Sequence, residues 1–183
     1  MHSGHSNTMS IKSRIRTIPH FPRPGIQYRD ITTLLLDPVG FRIVISELMQ
    51  RYSGQGIDKI AAIESRGFIF GAPLAAQLGI GFVPVRKPGK LPADKVGQDY
   101  ALEYGQDRVE IHTDAILPGE KVLLVDDLIA TGGTALAAAT LIEQLGGCIV
   151  ECCFVIDLPD VGGRQRLQDL GYPVHALCAF EGD

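Results

Sequence analysis

The fold of this chain is decided by a stretch that reads VLLVDDLIATGGT over residues 122–134. Its first four residues are apolar, which predicts a strand that is buried on both faces. Two adjacent carboxylates, Asp126 and Asp127, come next, and a turn of small residues then leads into a helical pattern over 135–145. Because backbone amides and the helix dipole attract anions at a helix N-terminus, the stretch predicts a site for a ligand that carries both a phosphate and hydroxyls.

A plainer interpretation of the two acids is that one caps the turn while the other is solvated. The glycine-containing segment 131–134, which follows them closely, favours a ligand site instead. The sequence lacks G-x-x-x-x-G-K-[ST], G-x-G-x-x-G after the first strand, and G-x-S-x-G. Their absence argues against a nucleoside triphosphatase, a dinucleotide-binding protein and a serine hydrolase of the usual kinds.

A second junction of the same kind reads AAIESRG over residues 61–67, with a buried strand, a polar turn and the start of a helix. It adds Arg66, whose guanidinium suits bidentate contact with phosphate. The alternative is that Ser65 caps the helix and Arg66 is solvated. Two loops that are suited to binding anions, at the ends of neighbouring strands, predict a ligand with phosphate groups at two places.

Three further segments carry candidate groups. The cations Arg86, Lys87 and Lys90 follow a strand; alone they would form a solvated turn, but beside two phosphate loops they can neutralise charge. Glu103 lies beside a loop that is expected to be mobile, where it can act as an acid or base or be an exposed strand residue. Tyr28 can stack on a planar base or belong to the boundary of the core.

The composition is that of a globular protein, with 183 residues, 45% hydrophobic and 21% charged. We expect a disordered extension over residues 1–10 and a single domain over 11–183. The net charge of −4 argues against a nucleic-acid partner, and no apolar stretch approaches the ~20 residues that span a membrane. The polar N-terminus lacks a signal peptide and the four cysteines are expected to be free thiols, so we expect a cytoplasmic location.

Strand patterns that alternate with helical patterns predict an α/β fold with a parallel sheet and right-handed crossovers. Asp37 is expected to cap a helix over 38–52. A short basic helix is expected over 11–18, a mobile loop over 87–98, and a hairpin that turns at 105–106.

Taken in order, these motifs resemble those of the type I phosphoribosyltransferases, and in particular the adenine phosphoribosyltransferases. Besides residues 122–134, the matches are FPRPG at 21–25, RDI at 29–31, ESRGF at 64–68, RKPGKLP at 86–92 and LEYG at 102–105. The resemblance covers roughly residues 12–180. It implies a central, mostly parallel twisted sheet flanked by helices, with a small N-terminal hood built partly from 11–36 and a flexible loop.

The activity implied by the resemblance is transfer of the 5-phosphoribosyl group from phosphoribosyl pyrophosphate (PRPP) to adenine in purine salvage, giving AMP and pyrophosphate. It implies Mg²⁺, held mainly through PRPP and water and not directly by protein ligands. It also implies a homodimer, because one pyrophosphate-binding group can come from the other subunit. Two alternatives remain: a phosphoribosyltransferase for another purine base, and a regulator that senses PRPP without catalysis.

The resemblance also implies two phosphate-binding groups of residues. Those for the 5-phosphate are Ala130, Thr131, Gly132, Gly133 and Thr134. Those for the pyrophosphate are Ser65, Arg66, Arg86, Lys87 and Lys90. By analogy, the peptide bond between Glu64 and Ser65 is expected to be cis.

For the sugar and the base, the resemblance implies the following roles. Asp126 and Asp127, both expected to face solvent, would hold the ribose hydroxyls and offset positive charge on the sugar, while Glu103 would assist proton removal near N7 or N9 of adenine. The remaining implied residues are Tyr28 and Leu128 on the two faces of adenine, the backbone of Gln27 and Arg29 at its edge, and Tyr104 in a lid over 90–104.

Overall fold

The structure is a computed structural model that describes residues 10–102 and 105–182. Glu103 and Tyr104 lie outside the described residues, as do residues 1–9 of the expected extension. The first elements are a 3-10 turn (Lys12–Arg14), β1 (Arg16–Pro19), β2 (Gln27–Asp30), α1 (Thr32–Leu36), α2 (Pro38–Tyr52), β3 (Lys59–Ile63), α3 (Arg66–Leu78), β4 (Gly81–Val85), β5 (Lys95–Ala101) and β6 (Gln106–His112). They are followed by β7 (Lys121–Ile129), α4 (Gly133–Gln144), β8 (Cys148–Asp157), a second 3-10 turn (Pro159–Val161), α5 (Gly163–Asp169) and β9 (Val174–Ala179).

Five of the strands form one parallel sheet in the order β4-β3-β7-β8-β9, which confirms the predicted sheet. From β3 the chain first adds β4 on one side and later returns to place β7 on the other side. The direction in which strands are added therefore reverses between β3 and β7. Ligands of open α/β sheets bind in the crevice at this reversal, beyond the carboxyl ends of the strands.

Helices cover both faces of the sheet. Leu123 and Leu124 are adjacent on β7 and fully buried, yet they belong to two different hydrophobic clusters. The cluster of Leu123 takes in residues of α2 and α3, and that of Leu124 takes in residues of α4 and α5. Because successive side chains of a strand point to opposite faces, the run of apolar residues in β7 fills both layers.

Two antiparallel hairpins stand outside this sheet. β1 pairs with β2, with Arg16 opposite Asp30, and this hairpin takes the place of the helix expected over 11–18. The helical prediction is wrong there because pairing with β2 and the ion pair between Arg16 Nε and Asp30 Oδ2, at 2.6 Å, outweigh local preference. β5 pairs with β6, which confirms the hairpin, but β5 begins within the segment for which the sequence predicts a loop.

None of the helices in the described ranges combines the length and apolar character that a bilayer crossing requires.

Candidate active site

The two acids of the deciding stretch lie within β7 and not after it. The ladder to β8 continues past them, with Asp126 opposite Phe154 and Leu128 opposite Ile156. The predicted end of the strand is too early because carboxylates at the edge of a crevice interrupt the apolar pattern without interrupting the hydrogen bonds. Asp126 and Asp127 both line cavities at the carboxyl end of the sheet.

Asp127 does not face solvent as expected, because its side chain is nearly buried, with 5% of the residue exposed. Its Oδ2 accepts a hydrogen bond from Nε of Arg66 at 2.6 Å. A charge-assisted hydrogen bond of this kind compensates a buried carboxylate for lost water. Arg66 itself remains half exposed, so its guanidinium joins a buried acid to the open crevice.

Asp126 has a different environment: part of the residue is exposed, but its carboxyl group is largely removed from water. Its Oδ1 accepts the backbone N–H of Asp127 at 2.8 Å. Burial of the carboxyl group, and then the negative charge of Asp127, raise the pKa of Asp126 well above its ordinary value. Asp126 therefore releases its proton less readily than an exposed aspartate does.

The predicted phosphate loop lies between β7 and α4 and lines a cavity of about 200 Å³ with Asp126, Asp127 and Arg66. Gly132 occupies the N-cap of α4 with a left-handed φ of 77°, which glycine adopts without steric cost. Glycine offers no capping side chain; among the described residues the Gly133 N–H donates only to the Thr131 hydroxyl at 3.4 Å, and the next amides of α4 are left for an anion. The residues of the loop are Ala130, Thr131, Gly132, Gly133 and Thr134, and all of them line this cavity.

The junction between β3 and α3 lines a neighbouring cavity of about 280 Å³. The peptide bond between Glu64 and Ser65 is cis, as predicted. Ser65 occupies the N-cap of α3, but within the described part of the chain its side chain makes no capping hydrogen bond, which disfavours the simple capping interpretation. The two cavities share four residues, namely Arg66, Asp126, Asp127 and Thr134.

The predicted cations divide between the cavity and its surroundings. Lys87 lines the second cavity, whereas Arg86 and Lys90 are not among its lining residues and Lys90 is exposed. Arg86 donates to Oε2 of Glu64 from Nη2 at 3.0 Å and from Nε at 3.3 Å. The Lys87 backbone N–H contacts the other oxygen of Glu64. Sequence reasoning misses Glu64 as a functional residue, although its place at the end of β3 is visible in the sequence.

The Lys87 ammonium is held by two groups of the β5–β6 hairpin. It donates to the Tyr100 hydroxyl at 2.7 Å and forms an ion pair with Asp107. Partial burial lowers the pKa of Lys87, but the hydrogen bonds to Asp107 and Tyr100 outweigh it, so this pKa is raised overall. Lys87 therefore carries its positive charge at neutral pH, and the sequence alone does not indicate that either hairpin residue matters.

Tyr28 of the hood contacts the guanidinium of Arg66, which also donates to Asp127. Nη1 of Arg66 donates to the Tyr28 hydroxyl at 3.3 Å, and the Tyr28 ring packs edge-to-face on Phe21. Arg29 instead donates to the Thr17 hydroxyl at 2.7 Å and lies over a C-terminal aromatic ring. Of the predicted base-binding residues, Leu128 lines the first cavity, while Gln27, Tyr28 and Arg29 lie on β2 outside both linings.

Glu103 and Tyr104 lie outside the described residues, so their predicted places are untested. The described residues just before them belong to β5, which packs beside the phosphate loop. The Ala101 carbonyl oxygen and Cδ2 of Tyr100 each lie 3.5 Å from the point where a Cβ on Gly133 would stand. The hairpin therefore lies against the start of α4.

The donor set of the crevice can be compared with the needs of Mg²⁺. Among the described residues, no group of three His, Cys, Asp or Glu side chains comes together to form a metal cage. Asp126 and Asp127 nevertheless provide two carboxylates beside both cavities. Mg²⁺ typically uses one or two carboxylates together with substrate phosphates and water, so this donor set fits it.

Comparison with known proteins agrees with this geometry. Residues 33–172 match the family described as Phosphoribosyl transferase domain. An adenine phosphoribosyltransferase of Nitrosospira multiformis is 68% identical over 175 residues, which cover 96% of this chain and 100% of that protein. The crystal structure of adenine phosphoribosyltransferase from Thermoanaerobacter pseudethanolicus is 51% identical with a TM-score of 0.88, covering 93% of this chain and 98% of that chain.

The same architecture is present in a more distant relative that was solved with ligands. Adenine phosphoribosyltransferase from Saccharomyces cerevisiae, complexed with an imino-altritol bisphosphate and adenine, is 42% identical with a TM-score of 0.85. The alignment covers 92% of this chain and 96% of that chain. With a domain match over most of its length and relatives of this identity, the chain belongs to the adenine phosphoribosyltransferase family.

Proposed function

We propose that one PRPP molecule spans the two adjacent cavities above β3 and β7. The chain transfers the 5-phosphoribosyl group of PRPP to adenine, giving AMP and pyrophosphate in purine salvage. The observation that carries the placement is the pair of cavities at the reversal of strand order, because they share Arg66, Asp126 and Asp127. A ligand with phosphates at both ends and a sugar between them matches this arrangement.

The loop between β7 and α4 is proposed to hold the 5-phosphate. Its support is the position of Gly132 and Gly133 at the start of a 12-residue helix, where the N-terminal amides and the helix dipole favour an anion. The hydroxyls of Thr131 and Thr134 add donors at the same cavity. The binding residues proposed for this end are Ala130, Thr131, Gly132, Gly133 and Thr134.

The pyrophosphate is proposed to lie in the second cavity, where Ser65, Arg66 and Lys87 are in the lining. Negative charge builds on the leaving pyrophosphate as its bond to the sugar breaks, and fixed cations stabilise that charge. Arg86 and Lys90 add positive charge from the surrounding loop, Arg86 while it is paired with Glu64.

The sugar is proposed to lie against Asp126 and Asp127. Cleavage of the C1–O bond gives the ribose oxocarbenium character, which nearby carboxylates stabilise. Mg²⁺ is proposed to be held mainly through PRPP and water beside these two carboxylates, where it would neutralise phosphate charge.

Glu103 is proposed to assist loss of the proton from adenine as N9 attacks C1. The lid that contains Tyr104 is proposed to exclude water from the reactive sugar.

Adenine is proposed to bind between Tyr28 and Leu128, with the backbone of Gln27 and Arg29 reading its edge. The 6-amino group of adenine donates and its N1 accepts, which complements one backbone carbonyl and one backbone N–H. A 6-oxopurine presents the reverse polarity to the same pair. Each buried group that it leaves unpaired costs about 1–3 kcal/mol.

We therefore expect turnover with adenine to exceed that with hypoxanthine, guanine or xanthine by about tenfold to a hundredfold for each mispaired group. The assay mixes the protein with PRPP, Mg²⁺ and one base at a time and follows nucleotide formation. Omission of Mg²⁺ is the control for metal dependence. Equal turnover with hypoxanthine would contradict the adenine site, and PRPP binding without any nucleotide formation would favour the regulator.

A homodimer is also proposed, with the second copy seated over α2 and α3. The support is an apolar groove of about 340 Å³, whose lining includes Phe41, Ile45 and Pro73. Leu36 lies two residues before the groove-lining segment and is 77% exposed, so it adds apolar surface beside the groove. In the family, one pyrophosphate-binding group can come from the partner, which gives such an assembly a functional reason.

Replacing Leu36 with glutamate is expected to shift the protein from dimer to monomer, because a charge would be buried against the second copy. The measurement is the molar mass by light scattering after size exclusion at micromolar concentration. Leu170→Glu is the matched control, since Leu170 is 57% exposed at the end of α5, away from the groove. A monomeric wild type, or a dimeric Leu36→Glu variant, would contradict the proposed interface.

Two further proposals concern the domain organisation and the cellular location. We propose that residues 11–183 act as one domain, with the β1–β2 hairpin and α1 forming part of the hood. We also propose a cytoplasmic location, which is supported by four free cysteines, because thiols persist in a reducing compartment.

A further inference from the structure

We propose that Gly163, the first residue of α5, is a positioning residue that orients the amides of the 5-phosphate loop toward the anion. The inference rests on the proposed binding of the 5-phosphate by residues 130–134. Gly163 touches none of the reacting atoms in this scheme. It acts through the backbone of the loop, against which the segment that runs from the end of β8 into α5 is packed.

Three consecutive carbonyls, that of the last residue of β7 and those of the first two residues of the loop, accept hydrogen bonds from this segment. The Ile129 carbonyl accepts from the Leu158 N–H at 3.2 Å, and the Ala130 carbonyl accepts from the Gly163 N–H at 2.9 Å. The Thr131 carbonyl accepts from Nη1 of Arg166 at 3.4 Å.

In a planar trans peptide the carbonyl and the following N–H point in opposite directions. The carbonyls of residues 129–131 are directed at the β8–α5 segment, so the amides of Ala130, Thr131 and Gly132 are directed away from it. That orientation leaves three consecutive donors for an anion.

The segment approaches the loop so closely that only glycine fits at position 163. A Cβ there would lie 2.6 Å from the Gly132 nitrogen and 2.7 Å from the Thr131 carbonyl carbon, and closer still to the Ala130 carbonyl oxygen. All three are backbone atoms, which cannot move aside as a flexible side chain can. The φ of Gly163 is not left-handed, so the requirement for glycine is one of space and not of conformation.

The segment is itself fixed to the sheet. Nη1 of Arg164 contacts Oδ2 of Asp157 at 3.3 Å, and Nη2 donates to the Val174 carbonyl at 3.3 Å. Asp157 ends β8 and is only 2% exposed. Arg164 therefore ties the start of α5 to both β8 and β9, and the phosphate loop is held relative to the strands that form the crevice.

The test compares Gly163→Ala with Gly171→Ala. Gly171 follows the other end of α5 with a left-handed φ of 91°, and a Cβ added to it would meet no atom within 4 Å, so its variant strains the backbone without touching the loop. For Gly163→Ala we expect the Kd for AMP and the KM for PRPP to rise about tenfold to a hundredfold. The Kd for pyrophosphate and the kcat at saturating PRPP should change less than about threefold. Gly171→Ala should leave all four values near those of the wild type.

The outcomes separate the inference from the function on which it rests. Unchanged AMP affinity in Gly163→Ala would overturn the inference, as would equal losses for AMP and pyrophosphate. A wild type that does not bind AMP would overturn the proposed function and the inference with it. If Gly163→Ala does not fold, Arg164→Met takes its place, and it should weaken AMP binding selectively because the loop loses its anchor to Asp157.

Discussion

Replacement of Asp127 by asparagine is expected to lower kcat/KM for PRPP by about a hundredfold or more, the usual effect of removing one preorganised electrostatic group from a transition state. The substitution removes the negative charge that is proposed to face the sugar, and it removes the charged partner of Arg66, whose Nε lies 2.6 Å from Oδ2. Loss of the ion pair also frees the Arg66 guanidinium, which must keep a fixed position if it binds pyrophosphate as proposed. AMP formation at varied PRPP concentration measures the effect.

The two acids should differ in what their removal does to stability. Asp127→Asn is expected to lower the free energy of unfolding by about 1–3 kcal/mol, because a hydrogen bond between charged groups is lost. Asp126→Asn should be neutral or stabilising at neutral pH, since burial and the charge of Asp127 raise the pKa of Asp126 and make its ionised form unfavourable in the folded state. The two single variants should therefore differ in stability, which two equally solvent-facing acids would not predict.

The sign of the pH dependence follows from the raised pKa of Asp126. The folded protein binds this proton more tightly than the unfolded chain, so the contribution of Asp126 to stability is greatest below the unfolded pKa and declines as the pH rises through the folded pKa. In denaturant unfolding, the stability of Asp126→Asn relative to the wild type should increase as the pH rises above the unfolded aspartate pKa of about 4. Asp114→Asn, at an exposed turn before β7, is the control and should show no such gain.

The sequence predicts a helix or strand well where residues adjacent in the chain decide the local structure. Asp37 accepts a hydrogen bond from the Val39 N–H at 3.0 Å, and α2 begins at Pro38 and ends at Tyr52 as the capping and helical patterns indicate. β3 likewise spans the predicted Lys59–Ile63, because its last four residues are buried in a parallel sheet and leave a clear apolar run.

Prediction fails where residues distant in the chain decide the structure. β1 forms because it pairs with β2, and β5 begins at Lys95 because that residue pairs with His112 across the hairpin. A local pattern does not contain either partner. Tertiary pairing therefore overrides the helical preference of one segment and the loop composition of the other.

In the candidate site, too, the sequence predicts the local features but not the contacts between distant residues. The two loops that line the cavities follow from the strand, turn and glycine pattern of their own sequences. The ion pair between Arg66 and Asp127 joins residues 61 positions apart, so no local signal indicates which of the two acids is buried. The contacts of Glu64 with Arg86 and of Lys87 with Asp107 are hidden in the sequence for the same reason.

Replacement of Glu103 by alanine is expected to lower kcat by about a hundredfold to ten-thousandfold, the usual contribution of a general acid or base. The affinity for PRPP should change less than about threefold, because no phosphate is proposed to contact this residue. The proposal rests on the LEYG motif at 102–105 and on the neighbouring strand β5, whose Ala101 lies beside the start of the phosphate loop. Single-turnover AMP formation isolates the chemical step from product release.

The matched control is Asp99→Asn on the same hairpin. Asp99 is an exposed acid that pairs with Arg108 at 3.0 Å, so its replacement removes one negative charge from β5 without removing a proposed acid or base. Glu103→Gln should behave like Glu103→Ala, since an amide cannot take the proton from adenine. Equal losses of PRPP affinity and turnover in Glu103→Ala, or an equal loss of turnover in Asp99→Asn, would place Glu103 outside the chemical step.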